Sequence, residues 1–318
     1  MSESLTGTPE SNPDRFGEDQ GTHIELSYEI GAIPTDVPGS ETPEIAVTAS
    51  SPPAVPAIER TIQIKMPTRH NDRLAAIIDR VNGDQGLYAL WRCANVNAVD
   101  RLGMSDHGPV HVQIVANIGL RLLRLLVSSG LTPNVVKDHA MHGHDAEIIT
   151  VLACLLHDVG MSIHRDDHER YSLFIAEPKL RALLAGIYEE PHLTIIVSEV
   201  LHAIISHRSG GRPKTIEAGV VRVADALDMA KGRSRIPFEA GQVNIHSVSA
   251  AAIDRVLIHR GESKPIRIEI EMSNSAGIFQ VDELLKEKLH GSGLEPFLEI
   301  AAHIVGETER SLIQLLRL

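Results

Sequence analysis

The stretch Ile149 to Gly160, ITVLACLLHDVG, decides how this chain is read. It is an apolar helix that ends in His157-Asp158, two polar groups where the preceding turns are core. Burying an unpaired carboxylate is expensive, and one normally persists in such a place only when paired or coordinated to a metal. Taken alone, the pair fits two ligands and fits equally a satisfied core histidine beside an aspartate that caps a helix or pairs with an arginine.

Outward from that point, eleven of the 17 histidines fall between His107 and His207. His111 lies one turn into GPVHVQIVANIGL, where Val115, Ile118 and Leu122 form the core-facing stripe, so its imidazole can point inward. Asp225 lies in VVRVADALDM, apolar on the face that carries Asp225 and Asp228. His202 and His207 end SEVLHAIISHR, and His168 opens the helix after the His-Asp pair. Imidazoles and carboxylates from different helices of one bundle suit a divalent ion: Mn, Fe, Co, Ni, Zn or Mg. With no cysteine nearby, a structural zinc cage is not expected.

The surrounding periodicity predicts helices throughout. Lead-in helices are expected over 69–104, followed by a turn at Ser105–Pro109 and a helix from Pro109 to Ser128. Further helices are expected at Asp145–His157, His168–Glu177, Lys179–Tyr188, Leu193–Ser206 and Ile216–Lys231. After Arg235 the period switches. Gln242–His246, Val256–Arg260, Pro265–Met272 and Phe297–Ile304 read as strands, with helices at Val281–Leu289 and Thr308–Leu316. The expected fold class is α+β: a helical bundle over 61–235, then a small α/β module over 236–318 in the order βαββαβ. Residues 1–60 carry eight of the 17 prolines, eleven acidic residues and two basic ones. They read as a disordered acidic tail.

The chain has 318 residues, 30 Lys+Arg and 42 Asp+Glu, so its net charge is −12. Most of that charge belongs to the tail. The nearly neutral remainder offers no basic face for duplex nucleic acid, which is not expected as a partner. The longest apolar stretch, Ile148–Leu156, has nine residues, against the ~20 of a spanning helix. The polar N-terminus is not a secretory signal, so a cytoplasmic location is expected and no membrane partner. Cys93 and Cys154 read as reduced core thiols. There is no P-loop, no dinucleotide fingerprint and no nucleophile elbow.

The ordered series His111, His157-Asp158 and Asp225, in the contexts HVQIV, LLHDVGMSIHRDDHE and RVADALD, resembles the H…HD…D signature of the HD-domain superfamily of metal-dependent phosphohydrolases. The resemblance covers about 105–235. It implies an all-helical domain in which His111, His157, Asp158 and Asp225 bind one divalent metal. In a dinuclear branch Asp158 would bridge to a second ion, and His168, His202 and His207 match the added histidines. The branch that cuts cyclic di-GMP has a paired His-Glu and a Gly-Tyr-Pro element, whereas this chain has Ser206-His207-Arg208 and Gly211-Arg212-Pro213.

Hydrolysis of a phosphate ester follows from such a ligand set, because a divalent ion makes hydroxide available near neutral pH. Asp158 is expected to accept the water's proton and His164 to serve as acid for the leaving oxygen, with His168 and His207 favoured as ligands. Arg165, Arg208, Lys231, Arg233 and Arg235 are the candidate phosphate-binding cations, although basic residues there also complement a helix dipole. The expected substrate is a nucleotide or cyclic nucleotide. Two alternatives are a di-iron HD-type oxygenase and a non-catalytic nucleotide sensor. The C-terminal module is expected to make homo-oligomer contacts, form a lid or bind an effector.

Overall fold

Side-chain caps start the first two helices. Asn71 accepts from the Leu74 amide and opens α1 (Asp72–Gly83), and Asp84 accepts from Leu87 and opens α2 (Gln85–Asn95). The computed structural model describes residues 62–208, 210–230, 245–305 and 315–317. The tail reading of 1–60 lies outside the described residues.

A wide helical turn, Val96–Arg101, continues α2. Then follow α3 (Pro109–Ser128), α4 (Asn134–His139), α5 (Gly143–Leu156), α6 (His168–Leu184), α7 (His192–Ser206) and α8 (Ile216–Leu227). The helix α5 is the axis of the bundle. Eleven of its 14 residues are buried, and it packs against α3, α7 and α8. A helix apolar on all sides can be stable only when covered in this way. The 20-residue α3 is long and apolar enough to cross a membrane. Here it is a core helix, its buried stripe running from His111 through Val115 and Leu122 to Leu126.

Beyond the bundle come α9 (Ile245–Ala251), β1 (Ile253–Arg260) and β2 (Ile266–Met272). A second wide turn, Gln280–Leu285, runs into α10 (Lys286–Leu289), and β3 (Leu298–Ile304) and β4 (Leu315–Arg317) follow. The strands lie in the order β1-β2-β3-β4. The outer pairs are antiparallel, and β2 runs parallel to β3 through the helical crossover. In β2 the isoleucines 266, 268 and 270 and Met272 are buried, while Arg267, Glu269 and Glu271 are half-buried. The sheet and the bundle share one hydrophobic cluster. Arg121 of α3 also donates to the Ile258 carbonyl of β1 at 2.6 Å.

The α+β class is the one expected from sequence, with five local corrections. His168–Glu177 and Lys179–Tyr188 form one helix through Pro178, because Leu180, Leu183 and Leu184 are buried in the core and hold the second half in line. The helix expected to reach Lys231 stops at Leu227, where the Asp228 carboxylate turns to the His111 ring. Ile245 and His246 begin a helix instead of ending a strand, while 242–244 lie outside the described residues. Leu315 and Leu316 are in a strand paired with β3, not in a helix, and 308–314 lie outside the described residues. Of the two thiols only Cys154 is core; Cys93 is exposed.

Candidate metal centre

Five helices deliver the site. His111 projects from the first turn of α3, His157 and Asp158 follow the end of α5, His168 is the first residue of α6, His207 follows α7, and Asp225 lies in the last turn of α8. The turn after α5 is set by Gly160. A Cβ there would stand 2.1 Å from the His168 carbonyl oxygen and 2.5 Å from the Ser172 amide, so only glycine lets α6 come this close. The Ser172 hydroxyl completes the turn, accepting from the Gly160 amide at 2.8 Å and donating to the His157 carbonyl at 2.6 Å.

The polar atoms converge in two lobes that share Asp158. In the first, His157 Nε2 and His111 Nε2 lie 3.2 and 3.6 Å from Asp158 Oδ2, and 3.6 and 3.5 Å from Asp225 Oδ1. The two imidazole nitrogens are 3.4 Å apart. In the second lobe, His168 Nε2 and His207 Nε2 lie 3.1 and 3.6 Å from Asp158 Oδ1, and 3.3 Å from each other. Ligands bound at about 2.0–2.2 Å to one ion stand roughly 3.0–3.4 Å apart, so both lobes have the right scale. His111, His157, Asp158, His168 and His207 are buried, and Asp225 is nearly so.

Each ring is turned so that Nε2 faces the centre. The Nδ1 of His157 lies 2.8 Å from the Cys154 carbonyl, that of His168 lies 2.8 Å from the Arg165 carbonyl, and that of His207 lies 2.6 Å from the Ile204 carbonyl. For His111 the partner is Asp228 Oδ2, at 2.6 Å. A carbonyl or carboxylate partner places the proton on Nδ1 and leaves a lone pair on Nε2. Lone pairs meeting at 3.3–3.4 Å repel unless a cation stands among them. The donor set therefore fits a divalent metal site.

The charges agree. Burial favours neutral carboxyls, yet His157, His111 and His168 hold Asp158 well below the usual carboxylate range. Asp225 is likewise held low against its burial, by Lys288 and His157. Burial opposes a charge on His157, but Asp158 and Asp225 outweigh it and raise its pKa to about 10. Burial, aided by the charges of His157 and Lys288, lowers His207. Without a metal, a proton on His157 takes the place of the cation.

Some expected residues stand elsewhere. His202 is half-buried and accepts from the Lys214 amide at 3.0 Å, away from the cluster. His164 is exposed in the loop before α6, where its Nδ1 accepts from the Asp166 amide, which leaves the proton on Nε2. The Arg165 guanidinium lies 3.0 Å from His168 Nδ1. That nitrogen cannot both donate and accept in one tautomer, and the Arg165 carbonyl is the partner consistent with Nε2 facing Asp158. Arg208 pairs with Glu169 at 3.2 Å. Lys231, Arg233 and Arg235 lie outside the described residues.

Three contributors escape a reading by signature. His107 is buried in the loop four residues before His111, with Nε2 4.0 Å from Asp158 Oδ2 and Nδ1 2.6 Å from the Ser105 carbonyl. It precedes the helix, so helical spacing does not place it, and its nearness to His111 in the sequence was the available signal. Asp228 was visible on the Asp225 face. Lys288, 63 residues beyond Asp225, carried no local signal at all.

The HD domain family model matches residues 109–230. An uncharacterized protein of Methanocaldococcus jannaschii is 43% identical over 231 residues, which cover 73% of this chain and 89% of that protein. Ribonuclease Y of Acholeplasma laidlawii is 23% identical over 272 residues, 80% of this chain and 48% of its own length. Ribonuclease Y of Desulforudis audaxviator is 35% identical over 92 residues, 26% of this chain and 14% of its own. The chain thus spans about half or less of these two ribonucleases. No solved structure matches it significantly.

Proposed function

Because this chain belongs to the HD-domain superfamily, we propose that its centre hydrolyses a phosphate ester of a nucleotide or cyclic nucleotide. The observation that carries this reading is Asp158, whose two oxygens each face a separate pair of imidazoles. His111, His157, Asp158 and Asp225 would hold one divalent ion, and Asp158, His168 and His207 a second. Such ions supply Lewis acidity and a water ionised near neutral pH.

The chain's own groups then divide the remaining work. Asp158, kept ionised, accepts the proton of the attacking water. His107 faces Asp158 through Nε2 from a buried position, whereas His164 is exposed; with its Nδ1 proton held by the Ser105 carbonyl, His107 would donate to the leaving oxygen from Nε2 as the imidazolium. Arg165, whose guanidinium lies beside His168, and Arg208, which follows His207 and pairs with Glu169, meet the substrate phosphate. Lys231, Arg233 and Arg235 would add to that charge. The ribonuclease Y relatives favour a phosphodiester over a monoester. Manganese is the metal we expect, in a cytoplasmic enzyme.

The test is metal content together with phosphatase and phosphodiesterase activity, on wild type and Asp158→Ala, with Mn, Co, Ni, Fe or Mg restored after chelation. Cyclic nucleotides, nucleotides and a short oligoribonucleotide are the substrates. Metal-restored release of phosphate or nucleotide, absent in the variant, is the expected result. Iron with oxygen-dependent turnover would replace the hydrolase by an oxygenase, and metal without turnover but with tight nucleotide binding would make the protein a sensor.

A further inference from the structure

The family match ends at residue 230, yet a side chain from beyond it touches the centre. Lys288 of α10 donates from Nζ to Asp225 Oδ2 at 2.5 Å and to the His207 carbonyl at 3.0 Å. One ammonium therefore joins a carboxylate of the first lobe to the backbone that carries a histidine of the second. Its own backbone is clamped. The buried Arg222 donates to the carbonyls of Lys288 at 2.7 Å and of Glu287 and His290 at 3.2 Å, and on its other side to those of Arg208 and Gly211. The stretch around Lys288 and the stretch after His207 are thus tied to one guanidinium on α8.

We propose that Lys288 is a positioning residue of the metal centre, which holds Asp225 Oδ2 aside so that only Oδ1 faces His111 and His157. A carboxylate has two oxygens, and a divalent ion of flexible coordination binds through one or both when they are free. An ammonium on one of them leaves a single oxygen for the ion and keeps a neighbouring position for water. Outer-shell partners of this kind fix ligand orientation and are commonly worth about 10–100-fold in metal affinity or activity. The C-terminal module is then part of the centre.

The test uses the full chain and Mn2+ alone as the probe. Wild type, Lys288→Met, Lys288→Gln and Lys288→Arg are titrated, and water-proton relaxation is measured per bound Mn2+. Lys286→Met is the control, because that lysine sits two residues away on the same helix and pairs with Asp282 at the surface. The expected result is a lower relaxation enhancement in the Met and Gln variants, as the freed oxygen displaces water, with recovery in Lys288→Arg and no change in the control. Gln serves where Met fails to fold. Wild-type enhancement in both neutral variants, or an equal drop in Lys286→Met, would overturn the proposal.

A kinetic arm rests on the phosphohydrolase reading: kcat falls roughly 10–100-fold in the neutral variants while KM stays near wild type. If wild type turns over no phosphate ester, that reading fails while the relaxation contrast still decides the role of Lys288.

Discussion

At the scale of single residues, the centre is a contest between a proton and a metal for the same place. His157 has its Nδ1 committed to the Cys154 carbonyl, and its Nε2 lies between two ionised carboxylates. Its pKa of about 10 in the metal-free protein means that Nε2 is protonated at neutral pH. A ligating imidazole must be neutral, so binding must release that proton. Below about pH 10 the apparent affinity should weaken with falling pH, by about tenfold per unit while one proton is exchanged. Calorimetry of Mn2+ binding in two buffers of different ionisation enthalpy should show about one proton released at pH 7. An affinity that is flat between pH 6 and 8 would contradict the assignment.

At the scale of elements, the approach of α6 to the turn after α5 sets where Asp158 stands. Gly160→Ala would drive a methyl into the backbone at His168 and Ser172. Forced shifts of this kind cost about 1–3 kcal/mol. A lowered melting temperature should accompany weaker metal retention, since His168 moves with the backbone that is displaced. The same helix offers the opposite experiment. Pro178 interrupts the hydrogen bonding of α6 at an exposed position, so Pro178→Ala should restore an amide donor to the helix. A gain of about 1–3 kcal/mol is expected, read as a higher midpoint in denaturant with metal binding unchanged.

For the whole molecule, Arg222 is the joint between the bundle and the C-terminal module. Its guanidinium satisfies carbonyls on both sides, and an apolar replacement would remove the one donor group that these part-buried bonds share. Each orphaned group costs about 1–3 kcal/mol. Arg222→Met should therefore lose on the order of 3 kcal/mol or more in equilibrium unfolding. It should also retain metal less well than an equally destabilised variant remote from the centre, because the backbone that presents Lys288 is loosened. A loss of stability with wild-type Mn2+ binding would separate the joint from the site.

Periodicity along the chain was enough to establish a helical bundle followed by a small sheet. Core formation depends on which positions are apolar, and that pattern is local. The ordered residues His111, His157, Asp158 and Asp225 were legible for the same reason, each being a polar group on an otherwise apolar helical face. Where helices end was not legible at Pro178 or Leu227, since packing of Leu183 and Leu184 and the pull of His111 on Asp228 outweigh local preference. His202 and His207 are five residues apart on similar ground, yet only His207 reaches Asp158. The direction of a side chain depends on how one helix is rotated against its neighbours. Lys288 shows the limit most plainly: its partner lies 63 residues away, and only the folding of the sheet against the bundle brings an ammonium to Asp225.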